Sequence, residues 1–428
     1  MIFCKKAGWG MALLFLCLIF GTGRTQKIEA AVQNVPESLE EESRLDTVGT
    51  DQETERAAVR EKKGQQEKEA GDTETDQAAA AQDELLAELD FDAIQQEVDS
   101  LLSSQQFSFA GTVRSLLQDG DPFRTFRAGN AVLSCAKTAF LAQKGLMKEL
   151  FLLVLAGAVF GSFSSLFEGK QVRDASFYMV YLLALALILK NFQSSGENLK
   201  AVITSLVAFM RILTPSYYLA AAAAGGASSA VMFYQMLLLV ILAVEKLLLA
   251  LVLPMIHIYL LIALVNDLSG EEILSHMTEL LETCVNGLLK SSLGVLVGMQ
   301  MIRNLIAPAL DSLRQMALWR TAGMIPGIGN AVNAVTELVA GSAVLIRNCF
   351  GVTAMLVLLA AGMVPAVQLL VSGLSFRLLA AAAQPVSDKR IAGCLAAAGK
   401  GYAMLLRLLL TVEVLFLLTI AILAGTFS

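Results

Sequence analysis

The chain has 428 residues, of which 56% are hydrophobic and 16% charged, with a mean hydropathy of +0.63 and a formal net charge of −6. Soluble domains carry about 25% charged residues, so this composition excludes an ordinary soluble globular protein. Residues 37–99 hold 21 Asp+Glu against 6 Lys+Arg, a net of −15 that leaves +9 on the remainder. So acidic a front segment excludes nucleic acid as a partner, while the basic remainder suits Lys and Arg anchored at membrane interfaces.

Residues 1–31 have the layout of a secretory signal. Lys5 and Lys6 precede the apolar run MALLFLCLIFG (11–21), and small residues come after it at Ala30 and Ala31. Glu29 departs from the small-residue cleavage pattern, so the segment reads as a signal peptide or a signal anchor. The segment directly after the signal is expected outside the cytoplasm. Residues 32–80 form an acidic segment with almost no aromatic or long aliphatic side chains, which cannot offset its ordering entropy and reads as disordered. Residues 81–145 read as a short amphipathic helical extracytoplasmic region. Leu85, Leu86, Leu89, Ile94, Val98 and Leu101 recur at helical spacing, and FSFAGTVRSLLQDG (107–120) supplies a second helix.

Residues 146–428 read as a multi-span membrane domain of six to eight spans. Successive apolar segments are 146–167, 175–192, 199–226, 231–265, 288–310, 334–351, 352–374 and 402–425, with an interfacial amphipathic helix at 271–283. Residues 231–265 are too long for one upright helix: at 1.5 Å per residue they reach about 52 Å, against a hydrocarbon core of about 30 Å. A hairpin hinged at Glu245–Lys246 or a helix broken near Pro254 resolves this.

The stretch AGMIPGIGNAV (322–332) lies among these apolar segments. It lacks the Lys-Ser/Thr that a phosphate loop requires. Two readings stay open: a surface turn, or a broken or re-entrant helix of the kind tolerated at membrane depth inside protein or beside water. In the second, Gly323, Pro326, Gly327 and Gly329 form the break, and Asn330 and Asn333 satisfy freed backbone groups or line a polar path. AGMIP returns as AGMVP at 361–365, which makes Pro365 a second candidate for a break and hints at an internal repeat. In AAAAAGGASSA (220–230), Gly225, Gly226, Ser228 and Ser229 are candidates for close helix packing.

Glu245, Lys246, Arg303, Arg347 and Glu413 fall close to hydrocarbon, where an ionisable group needs protein or water around it; Glu245, Arg347 and Glu413 are the candidate buried charges. Glu413 sits near the centre of the last span. Arg407 lies about 240° away around that helix, so Glu413 needs a partner on another helix or a cavity. The six cysteines and two histidines form no CxxC, HExxH or protease-like set, so no catalytic, cofactor or metal residues are assigned and the chain reads as non-enzymatic.

Four blocks in order, GGASSA (225–230), GMIPGIGNAV (323–332), LIRNCFG (345–351) and PVSDKRIAGCLAAAGK (385–400), resemble the stage III sporulation protein AE family of endospore-forming bacteria. The resemblance spans the signal, the acidic segment and above all residues 146–425; the charged run at 37–78 is its least family-like part. It implies a multi-pass protein of the mother-cell membrane around the forespore, part of a transenvelope channel or secretion-like complex, with no cofactor. The implied partners are membrane proteins of the same operon, including a ring-forming subunit, and a forespore membrane protein; a homo-oligomer is a further expectation. The alternative is a secondary transporter or permease for a small solute that uses broken helices. Deleting residues 37–78 is expected to leave membrane insertion intact, checked by fractionation and protease protection, because nothing there can build a core.

Overall fold

A computed structural model describes residues 90–102, 107–119, 128–164, 170–223, 228–269, 274–322, 329–385 and 387–425. The described residues are almost all helical, with no strand among them: α1 (Phe91–Leu101), α2 (Phe109–Asp119), α3 (Ala128–Ser164), α4 (Lys170–Ala223), α5 (Ser228–Leu247), α6 (Leu253–Ser269), α7 (Ser275–Ala322), α8 (Gly329–Ala383) and α9 (Lys389–Gly425). Between α5 and α6 the chain stays helical but widens into a π turn at Leu248–Val252, where Leu253 N–H donates to Leu248 C=O. Pro254 explains the turn. It has no N–H to give, and its ring would press on the carbonyl four residues back, so the preceding turn expands. Residues 231–265 are therefore neither a hairpin at Glu245–Lys246 nor a severed helix.

Among the described residues five segments are long and apolar enough to cross a membrane: Phe177–Tyr217, Leu238–Ser269, Ser275–Met299, Gly341–Ala383 and Lys389–Ala421. Six to eight were expected over the whole chain, and joining accounts for part of the difference. Segments expected as separate spans are joined: 175–192 and 199–226 share the 54-residue α4, and 334–351 and 352–374 share the 55-residue α8. From Ser275 onward the stretch expected as a separate amphipathic helix continues into the next span as α7. The boundary expected at 145/146 falls inside α3.

The order of contacts fixes the directions of the helices. Gly362 of α8 meets Glu413 of α9, and Gly373 meets Tyr402, so these two helices run antiparallel. Tyr181 of α4 donates to the Leu264 carbonyl of α6 at 2.6 Å, and Phe192 packs on His257 at 5.3 Å, so α4 and α6 are antiparallel too. α4 and α9 run in the same sense: Phe177 lies under the Arg390 guanidinium at 5.5 Å, and Asn191 meets Tyr402.

Helices α1 and α2 form a hairpin packed against α4 and α8. Asp90 caps α1 by accepting from Ala93 N–H at 3.1 Å. The Gln95 amide clamps the start of α2, donating to Phe107 C=O at 2.7 Å and accepting from Phe109 N–H at 2.8 Å. Ile94, Val98, Phe109 and Val113 are fully buried. The Phe109 ring lies 5.0 Å from Phe350 of α8, edge-on, and Phe350 in turn lies 6.2 Å from Tyr217 of α4. Truncating such a ring costs about 3–5 kcal/mol. Phe109→Ala should therefore speed amide hydrogen exchange across Phe91–Asp119 and leave α8 and α9 protected; unchanged exchange would show that the rings do not hold the hairpin.

Candidate functional site

Along the inward face of α9 three polar contacts follow one another, the first half-buried and the other two buried. The first is near its start. Gly393 leaves room for Asp267 of α6, whose carboxylate would lie 3.1 Å from a Cβ there. Arg390 donates to the Leu268 carbonyl at 3.4 Å, tying the same two helix ends together.

The second position is Tyr402, where four helices meet. Its hydroxyl accepts from the Asn191 side-chain amide at 2.6 Å and lies 3.2 Å from Ser195 Oγ. Ser195 donates its one hydrogen to the Asn191 carbonyl at 2.9 Å. The proton between the two hydroxyls therefore belongs to Tyr402, which accepts from Asn191 and donates to Ser195. The Tyr402 ring stacks on Phe376 of α8 at 5.3 Å and meets Phe192 of α4 edge-on at 5.2 Å. His257 of α6 closes the group: its Nδ1 lies 2.9 Å from the Leu253 carbonyl, and its ring fills the space left by Gly196, where a Cβ would come within 2.6 Å.

The third position is Glu413, 2% exposed, whose carboxylate rests against Gly362 of α8 in space that a Cβ there would take. Arg407 turns to α7 instead, donating to Asn286 at 3.0 Å. Glu245 on α5 is 7% exposed, and Arg347 on α8 is 1% exposed, three residues before Phe350. Among the described residues no three His, Cys, Asp or Glu converge as a metal set.

Gly323, Pro326 and Gly327 lie outside the described residues, between the end of α7 at Ala322 and the start of α8 at Gly329. Asn330 and Asn333 come next, in the first turns of α8. Gly225 and Gly226 also lie outside the described residues, and Ser228 and Ser229 open α5. At Pro365 α8 continues on both sides, so the break expected there is absent. Neighbouring helices supply the packing that keeps a proline-containing helix intact in a membrane. The second AGM-Pro copy lies in mid-helix, and the first lies outside the described residues apart from Ala322.

The Tyr402 group escaped sequence reasoning because NFQSSGENLK (191–200) reads as a polar connection. A signal was present. Tyr181, Ala184, Ile188, Phe192, Gly196, Leu199, Ile203, Leu206, Met210, Leu213 and Tyr217 keep a three- and four-residue rhythm straight across it, and all are buried.

A family model described as "Stage III sporulation protein AE" matches residues 107–426. The protein "Stage III sporulation protein AE" of Bacillus subtilis (strain 168) is 22% identical over 291 residues, covering 67% of this chain and 73% of that protein. No solved structure matches. Removing the hydroxyl in Tyr402→Phe leaves the Asn191 amide without its acceptor, a loss of about 1–3 kcal/mol. A lowered thermal midpoint in detergent is the expected reading, and an Asn191→Ala background should largely abolish the difference.

Proposed function

Because the chain belongs to the stage III sporulation protein AE family and so has a role in sporulation, we propose that it is the multi-pass, non-enzymatic membrane component of a complex joining mother cell and forespore. In this reading it resides in the mother-cell membrane around the forespore. There it gives proteins of the same operon, a ring-forming subunit among them, a fixed platform, and it faces a forespore membrane protein across the gap.

The observation that carries the reading is the interlocked interior. Tyr402, Phe192, Phe376 and His257 fill the level at which four long helices meet. Such a core supports a rigid part of an assembly. A solute transporter built on broken helices would place its substrate between half-helices, and α8 passes unbroken through Pro365, one of the two prolines on which that alternative rested.

Loss of the gene from its own host should block heat-resistant spores after engulfment, and a fluorescent fusion should gather at the membrane around the forespore. Full spore yield without the protein, or a fusion spread evenly over the cell membrane, would overturn the proposal.

A further inference from the structure

Glu413 of α9 is 2% exposed and has neither a hydrogen bond nor an ion pair among the described residues. Other buried polar groups on the same helix are satisfied locally: Thr411 donates to the Arg407 carbonyl and Thr419 to the Leu415 carbonyl. An ionised glutamate has no such route. A carboxylate only accepts, and inside a helix each N–H is already given to the carbonyl four residues back.

No charge among the described residues faces it either. On α8, Arg347 and Arg377 are each 15 residues from Gly362, about 22 Å along the helix. On α9, Lys400 is exposed and Arg407 turns to Asn286 of α7. The charges of α4 from Lys190 to Arg211 are all exposed. Helix α5 offers the acid Glu245 and the exposed Lys246, and α7 the acids Glu279 and Glu282 and the exposed Lys290. His257 of α6 packs on Phe192 at the level of Tyr402, 11 residues before Glu413, and Asp267 lies further away beside Gly393. A buried carboxylate with no partner is too costly to keep ionised.

Neighbouring helices do offer acceptors. A main-chain carbonyl keeps a second lone pair after its helical bond. At Gly362 the backbone of α8 is bare, and the Glu413 carboxyl rests in the space that a Cβ would take. We propose that Glu413 is a proton-binding site: it sits against Gly362 as a neutral carboxylic acid whose hydroxyl donates to a main-chain carbonyl of α8 and latches the two helices. Parting α8 from α9 admits water, and the proton leaves with the contact. The latch is closed with its proton bound and open without it. This site is read from the packing of α8 on α9 and does not depend on the sporulation role.

The test uses the full chain in lipid nanodiscs. Infrared difference spectra of the chain against Glu413→Gln, and against Glu413→Ala, should both contain the carbonyl band of one protonated carboxylic acid at neutral pH. Glu413→Gln keeps the shape and a donor, so its thermal midpoint should match the parent's. Glu413→Asp is a methylene too short to reach α8 and should melt lower. Gly362→Ala should also melt lower, and adding Glu413→Ala to it should cost little more. The native state holds a proton that the unfolded chain in water releases above the ordinary glutamate value of about 4.3. Stability is therefore lost as pH rises, and the parent midpoint should fall from mildly acidic to alkaline buffer by more than that of Glu413→Gln. A carboxylate band in place of the acid band would overturn the proposal. So would a lowered midpoint in Glu413→Gln, the mark of an ionised group beside a cation, or equal pH slopes in the two proteins. None of these outcomes touches spore yield, so the platform reading stands or falls separately.

Discussion

The close approach of α8 and α9 governs where every other helix in the bundle lies. A Cβ at Gly373 would sit 3.3 Å from Tyr402 Cβ and 3.6 Å from the Gly399 carbonyl, and one at Gly399 would sit 2.8 Å from Arg377 Cγ. Between helices in lipid there is little hydrophobic drive, because acyl chains are as apolar as leucine. Association rests on dispersion and on hydrogen bonds, both of which fall off within an ångström or so. Larger residues at these positions would separate the two helices and withdraw Tyr402 from Phe376 and Asn191. Gly373 of α8 and Gly399 of α9 therefore act through distance and not through backbone freedom.

Given that approach, the remaining polar groups can be buried without isolation. Thr353, Thr411 and Thr419 donate to carbonyls four residues back, at 2.8, 2.8 and 2.6 Å, so their hydroxyls stay satisfied inside their own helices. Asn191, Ser195 and Tyr402 have no such local solution together and bond between helices. An interhelical network of this kind fixes register as well as distance, since a shift of one residue would turn Asn191 away from α9. The aromatic cluster of Phe91, Phe109 and Phe350 does the same for the N-terminal hairpin by shape. A bundle locked at both levels suits a component whose outer faces must present fixed surfaces to other subunits.

Two of the blocks that carry the family resemblance acquire a physical meaning here. PVSDKRIAGCLAAAGK contains the turn before α9 and the glycines that admit Asp267 and Arg377, and LIRNCFG places Arg347 and Phe350 in the packed region of α8 beneath the hairpin. GMIPGIGNAV reaches the described residues only at Gly329 and beyond, where α8 begins.

By itself the sequence determined the solvent and the building material. Apolar runs too long for any soluble helix and a charge content of 16% dictate membrane helices, and the apolar stripe over Ile94 and Val98 dictates a helix with one buried side. Hydropathy along a chain averages over all faces of a helix, so it could not tell the polar residues at 191–200 from a loop, nor see that 334–351 and 352–374 are one rod. Only the tertiary structure decided that Asn191 and Ser195 point inward to Tyr402 while Glu197 and Lys200 point outward. The reason is that burial of a polar side chain is set by what a neighbouring helix offers it, and that neighbour lies some two hundred residues away, as in the pair Asn191 and Tyr402.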